Sequence, residues 1–164
     1  MMTGIILHLI EILEQAFRNL HLTPPVSVLE DLAITVHKAM SVEGRHYHTP
    51  EHVLSLASPD DPIQSLAALF HDIVYYQVDR GYAPEVVELL RPIIGLDATV
   101  DPELPLPDQF PPDDLCYRVA LDIFDITPGQ KLFLTPGFNE FLSALVLAKK
   151  LRPLVSKKVL LQAI

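Results

Sequence analysis

A histidine and an aspartate interrupt an apolar run in the middle of the chain. His71 and Asp72 lie within residues 66–76, whose other members are all aliphatic or aromatic. A run of this composition is typical of a helix that is buried on most of its circumference. A buried carboxylate costs free energy unless it is paired or bound to a metal. The sequence therefore predicts a helical core that holds this polar pair as a His–Asp hydrogen bond or as part of a metal site.

A second group of histidines precedes this run by about twenty residues. The segment 45–52 reads RHYHTPEH and contains His46, His48 and His52. Thr49 and Pro50 form a typical helix start, as N-cap and first helical residue, which places His52 in the first turn. Three polar residues at the entrance of a helix are one interpretation of this group. The other is that it forms, together with His71 and Asp72, a metal site between two helices.

Helical periodicity continues through most of the chain. Asp61 is predicted to cap a helix with Pro62 and Gln64 in its first turn, and this helix is expected to carry the His–Asp pair and to last to about Gln77. Residues 95–114 hold five prolines and six acids, which predicts a long loop. The other predicted helices cover about Thr3–Leu20, Val26–Ser41, Ala83–Ile94, Asp114–Ile126, Phe138–Leu151 and Leu154 to the end. We expect an all-α fold in a single domain, residues 1–164.

Charge and cysteine content indicate which partners and which compartment the chain suits. Twelve basic and 21 acidic residues give a net charge of −9, which argues against a nucleic-acid polymer or an anionic membrane as the main partner. Cys116 is the only cysteine, so no intrachain disulfide forms and a reducing compartment such as the cytoplasm is expected. No stretch is long and apolar enough to predict a membrane span. The apolar N-terminus lacks the basic start and the small-residue cleavage site of a signal peptide, so we expect it to be a helix of the mature protein.

A fourth metal ligand is expected on another helix. At 100° per residue, Asp122 shares a stripe with Leu115, Val119 and Ile126, which predicts that its carboxylate lies on a buried face. Asp122 is therefore the favoured fourth ligand. Asp125, at the edge of the stripe, is expected to be a surface acid or to support the ligands, and is the other candidate for the fourth ligand. An ordinary ion pair between Asp122 and a basic residue one turn earlier is the alternative.

These residues resemble a known signature. The series His52, His71-Asp72 and Asp122 is similar to the H…HD…D pattern of the HD-domain superfamily of metal-dependent phosphohydrolases. The surrounding residues Arg45, Tyr47 and His48 resemble a small branch of predicted HD hydrolases, and the resemblance covers about Val26 to Ile126.

The resemblance implies an HD-like helical bundle that holds a divalent metal ion (Mn, Co, Ni, Fe or Mg). His52, His71, Asp72 and Asp122 would be ligands, with the two aspartates also catalytic. Arg45 and His48 would meet the phosphate of a small phosphorylated metabolite or nucleotide, or bind a second metal. Ile73 and Val74 replace the Glu-Asp pair of guanosine-tetraphosphate hydrolases, which disfavours that activity. A non-catalytic HD module that binds a nucleotide or a protein is the main alternative, and a two-metal oxygenase a further one.

The C-terminal segment, VLLQAI at 159–164, is apolar and has no helix stop signal. Two explanations are open: the chain is a truncated form of a longer one, or the segment packs on a partner, which favours a homo-oligomer. Five of the twelve basic residues lie at 149–158, either on a solvated helix face or at a contact for an anion.

Overall fold

The computed structural model describes residues 2–97, 103–110, 114–133 and 136–164 and confirms an all-α fold. Its helices are, in chain order, α1 (Met2–Asn19), α2 (Val26–Met40), α3 (Pro50–Leu56), α4 (Pro62–Phe70), α5 (Tyr76–Asp79), α6 (Pro84–Ile94), α7 (Leu115–Ile123), α8 (Phe138–Leu151) and α9 (Lys157–Ala163). In this part of the chain, no helix is long and apolar enough to cross a membrane.

The central helix of the core is α4. Its residues Leu66, Leu69 and Phe70 have no exposed surface, because α1, α3, α8 and α9 all pack against this helix. The predicted cap is present: the Asp61 carboxylate accepts hydrogen bonds from the amides of Ile63 and Gln64 at 3.0 and 2.9 Å. The histidine–aspartate pair is thus attached to a helix that four other helices pack against.

The expectation that this helix continues to about Gln77 is wrong. α4 ends at Phe70, and His71 is its C-cap residue. Backbone groups beyond this point find partners on other elements. The Val74 amide donates to the Ser143 hydroxyl at 3.1 Å, and the Tyr76 amide donates to the Asn139 side-chain oxygen at the same distance. These hydrogen bonds to α8 replace the backbone hydrogen bonds that a longer α4 would form. Asp72 therefore lies beyond the end of the helix.

The predicted long loop contains a short strand that the sequence did not indicate. Strand β1 (Leu104–Pro105) pairs antiparallel with β2 (Lys131–Leu132), with Leu104 opposite Leu132. Residues 98–102 and 111–113 of this predicted loop lie outside the described residues.

The apolar C-terminal segment packs within its own chain. α9 lies against α4 and α7, and Leu160 and Ala163 are buried there. The apolar character that suggested a homo-oligomer is therefore explained by intrachain packing, and the oligomeric state stays a prediction. In the basic segment before it, Lys150 pairs with Asp31 at 2.8 Å and Arg152 pairs with Asp114.

Candidate metal centre

Three histidine side chains converge on one carboxylate oxygen. Nδ1 of His48 and Nε2 of His71 lie 2.5 and 2.7 Å from Oδ2 of Asp72, and Nε2 of His52 lies 3.7 Å from the same oxygen. His48 comes from the connector before α3, His52 from the first turn of α3, and the His–Asp pair from the C-terminal end of α4. The structure therefore brings His52, His71 and Asp72 together and places His48 beside them. The closest ligand atoms are those of His48, His52 and Asp72, and His71 joins them through its contact with Asp72.

The cluster opens to solvent on one side. The three imidazole rings are each 35–36 % exposed, whereas the Asp72 side chain is 16 % exposed. The His52 ring centroid lies 5.6 Å from those of His48 and His71, and the Tyr75 ring packs edge-on against His48 at 4.5 Å. A small molecule can thus reach the nitrogens, while the carboxylate lies at the base of the cluster.

Electrostatics favour a charged carboxylate at this position. Burial by itself raises the pKa of the Asp72 carboxyl, but hydrogen bonds and charges from His71 and His48 outweigh it and lower the pKa to about 2. The pKa of His71 is raised, chiefly by its hydrogen bond to Asp72, while burial opposes the rise. A proton on His71 therefore stabilises the aspartate, and a metal cation could take the place of that proton.

The tautomer of His71 suits metal binding. Its Nδ1 lies 2.8 Å from the backbone oxygen of Ala68, and since a carbonyl oxygen can only accept, Nδ1 carries a hydrogen and donates it. In the neutral ring the lone pair is then on Nε2, the atom that faces Asp72. A second hydrogen bond of this kind orients many metal-binding histidines.

Arg45 has a different position from the one expected. Its side chain has no exposed surface and forms a two-pronged ion pair with Asp79, at 2.7 Å from Nε and 2.5 Å from a terminal nitrogen. The other terminal nitrogen donates to the backbone oxygen of Asp72 at 2.8 Å. The prediction that Arg45 meets a substrate phosphate is therefore corrected: its donors are engaged inside the protein, where they hold the backbone of Asp72. Asp79, its partner, was not predicted.

The prediction that Asp122 lies on a buried face is also wrong. α7 buries the side that carries Cys116, Tyr117, Ala120 and Leu121, whereas Asp122 and Asp125 are both exposed. The apolar stripe used for the prediction is rotated from the face that packs, since Leu115 and Val119 are only half-buried. Neither aspartate belongs to the group of close ligand atoms that the described residues form.

A different acid lies on the His71 side of the site. Glu140, in the first turn of α8, acts electrostatically on His71 and lines a cavity with it. Nothing in the sequence distinguished Glu140, because an acid in the first turn of a helix is common.

The donor set fits a transition-metal ion. Ligand atoms of His48, His52 and Asp72 all lie within 4.8 Å of one another, and Nε2 of His71 contacts the same carboxylate oxygen. Imidazole nitrogens with one carboxylate suit Mn, Fe, Co or Ni, whereas Mg prefers a shell of oxygens.

The fold and the site together define an all-α protein with a candidate histidine–aspartate metal centre. The chain matches no protein-family model, no curated protein and no solved structure.

Proposed function

We propose that the protein is a metal-dependent phosphohydrolase acting on a small phosphorylated metabolite or nucleotide. The observation that carries this proposal is the convergence of three imidazole nitrogens on Oδ2 of Asp72 at a half-open site. The order of His52, His71-Asp72 along the chain, and its resemblance to the HD signature, add the reaction class. A buried Cys116 suits the cytoplasm, where we place the protein.

The proposed reaction cleaves the phosphorus–oxygen bond of a phosphomonoester. The oxygen of a water molecule joins the phosphorus, and the leaving alcohol takes up a proton. A divalent ion held by this donor set would lower the pKa of a bound water and polarise a phosphoryl oxygen. Asp72 supplies the negative charge that holds such an ion, and His48, His52 and His71 supply neutral donors that leave its net charge positive.

Two features of the surrounding structure keep the carboxylate in place. Arg45 binds the backbone oxygen of Asp72 from the interior, and the Ala68 carbonyl fixes the ring of His71. Preorganisation of this kind is needed because small displacements of a reacting group lower rates strongly.

Hydrolysis of p-nitrophenyl phosphate after reloading with Mn²⁺, Co²⁺ or Ni²⁺ tests the proposal. We expect activity from the wild type and none from Asp72→Asn, which keeps the size of the side chain but loses its charge. Asp60→Asn is the matched control, since Asp60 is exposed in the turn before α4. Absence of hydrolysis by the reloaded wild type, on this and a broad panel of phosphomonoesters, would refute the proposal.

A second candidate function is a non-catalytic module that binds a phosphorylated ligand through the same centre. It is favoured by the place of Asp122: neither acid of α7 belongs to the group, so within the described residues that group offers a single carboxylate, Asp72. Binding of a nucleotide to the metal-loaded protein without release of phosphate over days would identify this function.

A further inference from the structure

A small cavity lies directly beside the metal centre. It has a volume of about 140 Å³ and is bounded on one side by His71 and Phe70 at the end of α4. The opposite wall is one face of α8, since Glu140, Ser143, Ala144 and Leu147 follow the spacing of consecutive helical turns. A group bound in this cavity would therefore be adjacent to a phosphate held at His71.

The lining of the cavity is mostly apolar, with His71, Glu140 and Ser143 as its polar side chains. Glu140 is exposed and places a carboxylate at the rim, while Phe70, Phe124 and Leu147 contribute apolar surface. Ser143 is buried, and its hydroxyl oxygen already accepts from the Val74 amide. Among the described residues that line the cavity there is no lysine, arginine, asparagine or glutamine.

This chemistry selects one kind of ligand group. The Glu140 carboxylate would repel a second phosphate, and the Nδ1 hydrogen of His71 is already donated to the Ala68 carbonyl. An alkylammonium group only donates, carries a charge opposite to that of Glu140, and presents methylene groups that suit an apolar wall next to aromatic rings. The net charge of −9 on the protein also favours a positively charged ligand group.

The cavity has room for a short alkyl chain. Its volume of about 140 Å³ accommodates the two or three carbons and the ammonium group of such a chain.

We propose that this cavity, named here the Glu140 subsite, binds the ammonium group of a small amino-alcohol phosphate whose phosphoryl group lies at the metal centre. This inference rests on the proposed function and narrows its substrate class from small phosphorylated metabolites and nucleotides to small amino-alcohol phosphates.

Paired substrates that differ only in charge test the Glu140 subsite. O-phosphoethanolamine and n-propyl phosphate have the same chain length, and the wild type loaded with Mn²⁺ should prefer the first by about tenfold in kcat/KM. Glu140→Gln should reduce this preference to about one. Glu88→Gln, which makes the same charge change at an exposed position on α6, should retain it.

A binding measurement separates the subsite from catalysis. Calorimetry with the Mn²⁺-loaded protein should show that 3-aminopropylphosphonate binds about tenfold more tightly than butylphosphonate, and that Glu140→Gln removes the difference. Hydrolysis of both substrates without preference would overturn the subsite and leave the phosphohydrolase intact. A preference in binding without any hydrolysis would support the subsite and overturn the phosphohydrolase. Equal binding of the two phosphonates would overturn the subsite in either case.

Discussion

Removal of Asp79 should destabilise the protein more than removal of any ordinary surface acid. The Arg45 side chain has no exposed surface and that of Asp79 is 6 % exposed, so Asp79→Ala leaves a buried guanidinium without its counter-charge. Breaking a buried pair from one side costs about 3–5 kcal/mol. For a chain of this size we expect the melting temperature to fall by about 10 °C.

Chemical denaturation of the metal-free protein measures this loss, and Glu85→Ala serves as its control. Glu85 pairs with Lys38 at 3.1 Å, but these side chains are 33 % and 59 % exposed, so that loss should stay below about 1 kcal/mol. Replacing both partners, in the double variant Arg45→Met with Asp79→Leu, should recover part of the stability because no buried charge remains. A loss for Asp79→Ala as small as that for Glu85→Ala would refute the reasoning.

The same pair should also influence the metal site, because Arg45 holds the backbone oxygen of Asp72. In the Asp79→Ala variant we expect metal affinity to fall by about 10- to 100-fold, as is typical when the support of a ligand is removed. Unchanged metal affinity in a folded Asp79→Ala variant would show that the support is unnecessary.

Two further predictions concern pH and helix capping. In the metal-free protein, the pair of His71 and Asp72 should contribute its full stability between the ordinary pKa values of the two groups, 3.8 and 6.5. Since the pKa of His71 is raised by folding, its contribution is lost as pH rises through that raised value, and the contribution of Asp72 is lost as pH falls towards about 2. The change in melting temperature caused by His71→Gln should accordingly be larger at about pH 5.5 than at about pH 9, and an equal change at both pH values would contradict the assignment. Asp61→Ala should cost about 1 kcal/mol in urea denaturation, because two amides at the start of α4 lose their acceptor; a cost no larger than that of Asp60→Ala would contradict this role.

Local sequence signals predicted the part of the site that depends on where α3 and α4 begin. Pro50 at the first position of α3 places His52 in its first turn, and the Asp61 cap fixes where α4 begins. The apolar run around His71 and Asp72 indicated a buried helix, and the end of that helix carries the pair. These features depend on residues a few positions apart, so the sequence alone contains them.

The rest of the site depends on contacts between segments that are far apart in the sequence. α4 ends early because the Val74 amide bonds to Ser143, 69 residues later in the chain. Arg45 is engaged by Asp79, an acid 34 residues away that no periodicity connects to it. Asp122 was misplaced for a related reason: an apolar stripe on a short helix indicates a packed face only approximately, and the neighbours of α7 determine which side is buried.

The metal content of purified variants tests the central claim most directly. The wild type, reconstituted with Mn²⁺ or Co²⁺ and freed of excess metal, should retain stoichiometric metal by elemental analysis. His48→Ala and Asp72→Ala should lose it, and Asp122→Ala should retain it, because Asp122 lies outside the group of close ligand atoms. A wild type that retains no metal, or an Asp122→Ala variant that loses it while His48→Ala does not, would contradict the account.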